Sequence, residues 1–215
     1  MRASSEQTRA ALISAGLRLF GRYGFEATPI RDIAADAKTN VASIAYHFGS
    51  KEGLRLACAQ AVAERMREVA GQTILTSDPG GDPDKALAIL EQALTAMVNF
   101  MAAQPEAGDI AAFVMRETAD PGTAVDLIYA ELVGPVHVAL CRLWATATGA
   151  DPESHATRLT VFALAGQIIY FRIGRPMVLR RMDWRDIGPA EAAEIAATVT
   201  GNLRAMAAAS RGGQV

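Results

Sequence analysis

Aromatic residues make up only 6% of this 215-residue chain, and it holds just two cysteines and three histidines. No stretch shows the in-and-out alternation of a half-buried strand, so a sheet-based fold is excluded. Cys58 and Cys141 lie far apart without a pairing pattern, which argues against a disulfide. Redox sensing through a thiol stays an alternative, but neither cysteine has an activating neighbour in sequence. The three histidines are isolated, so no metal site is expected. There is no Gly-rich phosphate loop, no HExxH and no nucleophile elbow, and the chain is read as a non-enzyme without cofactor. The apolar stretch from Leu159 to Ile173 is broken by Gln167 and Arg172 and falls short of the ~20 residues that a bilayer span needs. The N-terminus Met1-Arg2-Ala3-Ser4-Ser5-Glu6 lacks a signal-peptide core, so a cytoplasmic protein without a membrane partner is expected.

What remains is an alanine- and leucine-rich chain, 51% hydrophobic, with enough apolar material for a sizeable core. An all-α fold of about nine helices follows. The net charge of −2 hides an asymmetry: residues 1–67 hold ten Lys/Arg against six Asp/Glu, and the remainder eleven against seventeen. A basic head on an acidic body directs any attraction for phosphate to one end.

The most informative segment runs from Thr28 to Lys51. Thr28 can cap a helix that Pro29 opens, with Ile30, Ile33, Ala34 and Ala37 spaced three and four apart as its buried face. A second helix starts at the capping residue Asn40 and buries Ile44 and Phe48. Ala34, Ala37 and Ala45 are small where the two helices cross. This is the pattern of a helix-turn-helix, whose second helix fits a DNA major groove.

Punctuation places the other elements. Glu6 to Tyr23 is a helix closed by Gly24, and Ser50 caps a long helix reaching about Ala70. Gly71 to Asp82 is a loop, and Asp82-Pro83 opens a helix to about Gln104. Further helices are expected over 108–119, over 123–149 with a bend at Gly134-Pro135, and from Asp151-Pro152 to Gly174. Met177–Met182 forms a short helical turn, and Pro189 starts the last helix, which ends near Ala209. The domains expected are a helix-turn-helix head (1–50), a connecting helix (51–70), a helical body (71–209) and a flexible tail (210–215).

Ala11-Leu12-Ile13-Ser14-Ala15-Gly16-Leu17-Arg18-Leu19-Phe20, Gly24-Phe25-Glu26-Ala27-Thr28 and Ile44-Ala45-Tyr46-His47-Phe48-Gly49-Ser50-Lys51-Glu52 together resemble the DNA-binding head of TetR-family transcriptional regulators, over roughly residues 8–56. Arg116-Glu117, Asp120-Pro121, Gly134-Pro135, Thr148-Gly149, Phe171-Arg172-Ile173-Gly174 and Asp183-Trp184 are similar to the CecR-like branch. Lys38 and Thr39 depart from the family's usual glycine and hydrophobe, and a left-handed lysine costs ~1 kcal/mol relative to glycine. Val41 replaces a position that is often basic or polar.

The resemblance implies a DNA-contacting set. Asn40, Ala42 and Ser43 face outward with Thr39 and Val41 near the groove, while Tyr46 and His47 match positions that touch the DNA backbone. Lys51, at a helix start, makes a phosphate site, and Thr28 could do the same with Arg31 nearby. Plainer roles compete: Thr28, Asn40 and Ser50 as caps, Tyr46 covering the head's core, His47 packing on the first helix.

For the body, the resemblance implies a homodimer through the last long helices, a small-molecule effector, and repression of a palindromic double-stranded DNA operator. Leu164, Ile168 and Phe171, with Ile195, Val199 and Leu203, form the stripes expected to pair across the dimer, or else to complete the subunit's own core. Met97, Phe100, Met101, Phe113, Tyr129, Trp144 and Tyr170, with Arg116, Glu117 and Gln167 among them, are the pocket candidates. Pairing of Glu117 with Arg116 or Arg172 is the plainer alternative. Two other functions stay open: an activator of the same fold, and a helical dimeric adaptor with no DNA role.

Overall fold

Helix follows helix from Arg2 to Gly212, and no strand forms among the described residues. The computed structural model describes residues 2–212, with side chains from Ser5 onward. The elements are α1 (Arg2–Tyr23), α2 (Ile30–Asp36), α3 (Ala42–Phe48), α4 (Lys51–Met66), α5 (Gln72–Thr76), α6 (Pro83–Val98), α7 (Glu106–Ala119), α8 (Thr123–Ile128), α9 (Gly134–Thr148), α10 (His155–Ile173), α11 (Arg175–Met182) and α12 (Pro189–Gly212). Widened π turns at Arg67–Gly71, Asn99–Ala103 and Tyr129–Val133 join α4 to α5, extend α6, and join α8 to α9.

Local chemistry explains most helix ends. Asp82 accepts hydrogen bonds from the N–H groups of Asp84 and Lys85, and Pro83 follows it at the first helical position of α6. Gly149 ends α9 in the left-handed region at φ +82°. Pro135 cannot donate to the Glu131 carbonyl, and the turn just before it is the π turn at Tyr129–Val133, where a bend is expected.

Four expectations are corrected. Gly71 does not open a loop: it is buried and helical, so the chain stays helical to Thr76 and the loop shrinks to 77–82. The helix expected from Asp151-Pro152 starts at His155, because Asp151 caps a tight turn onto Glu153 N–H and Ser154 takes the helix start. Ser210, Arg211 and Gly212 belong to α12, where Arg211 donates to the last turn of α9 at Ala147 O (2.6 Å); residues 213–215 of the expected tail lie outside the described residues. Among the described residues two helices, Pro83–Ala103 and Thr123–Thr148, do reach the length and mean hydropathy (1.5) of a span, a test that the apolar core helix of a bundle also passes.

The chain divides into two compact units: residues 1–65 with 108–131, and residues 66–107 with 132–215. In the first, Leu12, Ala15 and Phe20 of α1, Ile33 of α2, Ile44 of α3 and Leu54, Cys58 and Val62 of α4 are buried, as is Phe113 of α7. The core of the second is built from Leu90, Trp144, Val161, Leu164 and Leu203, filled in with alanine. The grouping of α7 and α8 with the N-terminal helices has no local sequence signal.

Candidate nucleic-acid interface

The turn between α2 and α3 is a Schellman motif. Thr39 N–H donates to Ala34 O (2.9 Å) and Lys38 N–H to Ala35 O (3.0 Å), with Lys38 in the left-handed region at φ +51°. Asn40 Oδ1 then accepts from Ala42 N–H at 2.6 Å and holds the first turn of α3. Ile44 anchors the inner side of α3 at 2% exposure. The outer side presents Asn40, Val41, Ala42, Ala45 and Tyr46, the last at 80% exposure. Thr39 and Ser43 are half-buried and share a hydroxyl contact of 3.1 Å. His47 is also half-buried, edge-on to Tyr46, with ring centroids 4.9 Å apart.

Ser50 Oγ caps α4 through Gly53 N–H at 3.0 Å. A side chain at Gly53 would place Cβ 2.0 Å from Phe48 O, so only glycine lets the end of α3 dock here against α4. Lys51 Nζ lies over the Phe25 ring, 4.3 Å from its centroid, and donates to Glu26 O at 3.4 Å. Arg31 is largely exposed beside Asp32. The outer row of α3 is thus flanked by two cations, a shape and charge suited to a groove between phosphate strands.

Thr28 does not belong to this surface. It is 1% exposed and its hydroxyl donates to Gly24 O at 2.6 Å, with Leu19 O at 3.2 Å. A hydroxyl has one proton, and here a carbonyl takes it, so none is left for a phosphate, and the start of α2 carries no side-chain cap bond. The residue before α2 is Pro29. Ile30 and Ala45 are also exposed rather than packed at the crossing.

The ten pocket candidates divide between the two units. Phe113, Arg116, Glu117 and Tyr129 belong to the first unit, and the other six to the second. Glu117 is 2% exposed and bound by Arg55, whose Nε donates to Oε1 at 3.1 Å and to Oε2 at 2.9 Å while Nη2 donates to Oε2 at 2.6 Å. That hydrogen bond, followed by the Glu117 charge and opposed by burial, raises the Arg55 pKa above its ordinary value. Arg116 donates to Arg22 O, and Gln167 accepts from Asn202. Phe100, Met101 and Trp144 are buried, Met97 is half-buried, and Tyr129 is exposed. Tyr170 lines an open groove of about 430 Å³ with Met177, Arg181, Met182 and Trp184. Methionine and aromatic content marks core and cavity alike.

The dimer stripes are corrected as well. Leu164, Ile168, Ile195, Val199 and Leu203 are at most 5% exposed within one subunit, and Phe171 is half-buried. The large exposed apolar residues of α10 are Leu159, Phe162, Ile169, Tyr170 and Ile173.

Arg55 and Phe25 went unnoticed in the sequence. Arg55 stands four residues after Lys51, on the same side of α4, which is equally the spacing of an ordinary solvated face.

An exposed, largely uncharged second helix held across a tight turn, with Arg31 and Lys51 on the neighbouring helices of an all-helical chain, defines a helix-turn-helix DNA-binding protein. Residues 12–58 match the model of the tetR family of bacterial regulatory proteins, and residues 86–210 match the C-terminal domain of the HTH-type transcriptional dual regulator CecR. CecR of Shigella flexneri is 38% identical over 207 residues, 93% of this chain and 91% of that protein. The regulatory protein RaaS of Mycobacterium tuberculosis is 26% identical, covering 80% of this chain and 76% of its own. Among solved structures, AibR in complex with isovaleryl coenzyme A and operator DNA superposes with a TM-score of 0.66 at 17% identity, covering 91% of this chain and 96% of that one. The hemolysin II regulator HlyIIR gives 0.61 at 19% identity, over 91% and 98%. The chain belongs to the TetR family of transcriptional regulators and carries a CecR-type C-terminal domain.

Proposed function

We propose that the protein is a homodimeric repressor that reads a palindromic operator with two copies of α3 and is released by a small, largely apolar effector. The carrying observation is the exposed row Asn40, Val41, Ala42 and Tyr46 beside Arg31 and Lys51. Its small side chains let the helix approach base edges, where Asn40 and Ser43 hydrogen-bond and Val41 and Ala42 meet thymine methyls. Tyr46, His47 and Lys51 hold the backbone. One such helix reads too few base pairs for useful specificity, so a two-fold pair is required, with half-sites ~34–36 Å apart.

Leu159, Phe162, Ile169 and Ile173 on α10 supply the large side chains of the dimer face, and the exposed Gly201, Ala205 and Ala208 on α12 the small ones. Effector entry is assigned to the second unit, where Met97 packs against the cluster that holds Trp144 and can yield to an apolar guest. An effector that prefers a different spacing of the two heads lowers operator affinity by that preference. The protein acts in the cytoplasm. The dual-regulator name of the Shigella relative supports a second reading, activation at some promoters.

Selection of duplexes from a randomised pool, followed by gel-shift titration of the winners, tests this. A palindrome with half-sites one helical turn apart is expected. Recovery of no preferred duplex at moderate salt overturns it.

A further inference from the structure

The cations at the start of α4 share one ring. Lys51 Nζ and Arg55 Cζ lie 4.3 and 4.7 Å from the centroid of Phe25. Two positive charges on one aromatic ring repel each other unless one is compensated. Arg55 is compensated. Nε and Nη2 form a fork onto the buried Glu117 of α7, and Nη1 lies 3.5 Å from Glu52. Glu52 in turn accepts from the Thr123 hydroxyl at 2.9 Å, at the start of α8. The first turns of α4 are therefore tied twice to the 117–123 segment, and every member of this network lies in the first unit.

We propose that Glu117, which has no place on the DNA-facing surface, is a positioning residue for DNA binding. By fixing and neutralising Arg55 it leaves the Phe25 ring to hold the Lys51 ammonium at a phosphate. Without Glu117 the Arg55 charge loses its fork and keeps only the more exposed Glu52 at 3.5 Å, so it competes for the ring and displaces Lys51. Because the carboxylate is supplied by α7, any event that withdraws α7 from α4 is read at the DNA surface as the loss of a phosphate contact. The bidentate fork makes this a matter of geometry as well as charge, since carboxylate and guanidinium match in one orientation only.

The inference rests on the proposed DNA-binding role of Lys51, and a double-mutant cycle separates the two. The duplex selected by the wild-type protein is titrated with wild type, Glu117→Gln, Lys51→Ala and the double variant, each checked for fold by circular dichroism. Glu117→Gln is expected to weaken binding on the order of tenfold in the wild-type background and less than about threefold when Lys51 is already alanine. Its plot of log affinity against log salt is expected to lose about 0.9 in slope, as Lys51→Ala does, because one counterion-releasing contact is gone. Additive effects, or an unchanged slope in Glu117→Gln, overturn the proposal. No effect of Lys51→Ala, or no duplex bound by the wild type, instead defeats the functional reading beneath it. Should Glu117→Gln fail to fold, Arg55→Lys keeps the charge and loses the fork, and the same cycle with that variant decides.

Discussion

Gly16 on α1 and Cys58 on α4 stand so close that a methyl group on Gly16 would lie 2.7 Å from Cys58 Sγ. The thiol has no room to turn away freely, being fully buried and donating to Ile13 O at 3.5 Å. Burial pushes its pKa well up, with a smaller contribution from the Glu117 charge. Gly16→Ala is therefore expected to destabilise the protein by roughly 1–3 kcal/mol through overpacking. Cys58→Ala removes the obstructing sulfur, so Gly16→Ala in that background is expected to cost much less. Urea unfolding of the two singles and the double checks this. Equal costs in both backgrounds would show that the crossing is not limited by this contact.

Arg55 and Glu117 make a second, electrostatic prediction, this time of stability. The Glu117 side chain is 2% exposed and the Arg55 side chain 14%. Removing Glu117 leaves the Arg55 charge in a largely dry site with only the half-exposed Glu52 beside it, and removing Arg55 leaves Glu117 a buried charge. Glu117→Ala is expected to cost roughly 3–5 kcal/mol, whereas Arg55→Met with Glu117→Met together should be near neutral or stabilising. Thermal or urea unfolding distinguishes the two. A double variant as unstable as the single would mean that the pair's hydrogen bonds, rather than the avoided buried charge, carry the effect.

These contacts also mark where reading the sequence stops. Asp82-Pro83, Ser50 and Asn40 were legible because a cap acts on N–H groups two or three residues away. The helix-turn-helix was legible for the same reason, since Ile33, Ala34 and Ile44 declare their faces by spacing. Thr28 was not, because its hydroxyl chooses between the helix ahead and the carbonyls behind, and only the packing of α1 decides. Glu117 finds its partner 62 residues back in the chain, beyond any local rule. On α10 the failure is geometric. Apolar side chains occur around most of the helix, so spacing alone cannot say which stripe turns inward.

Lys38 occupies the left-handed turn position at φ +51° without the freedom of glycine. A side chain there costs roughly 1–2 kcal/mol. Glycine would relieve that strain but enlarges the unfolded ensemble by roughly 0.5–1 kcal/mol. Lys38→Gly should then raise stability by at most about 1.5 kcal/mol, the difference of the two. Chemical denaturation measures it. A loss of stability would mean that the exposed lysine makes a compensating interaction in the folded head.

Phe162 and Leu164, two residues apart on α10, are 52% and 5% exposed. Substitutions on the two stripes should therefore have separable effects. Leu164 packs with Trp144, Val161 and Leu203, so Leu164→Ala opens a cavity and is expected to cost about 2–5 kcal/mol while leaving the assembly state unchanged. Ile169 and Ile173 are 46% and 47% exposed, and charge there is tolerated in a lone subunit because water solvates it. Against a partner the same charge must be desolvated without a counterion, which an interface does not survive. Ile169→Glu with Ile173→Glu is expected to give a folded monomer by sedimentation, with unchanged helical circular dichroism and much weaker binding to the full palindrome. A dimer that persists in this double variant would move the interface elsewhere on the subunit. Loss of dimer in Leu164→Ala with normal stability would return it to the inner stripe.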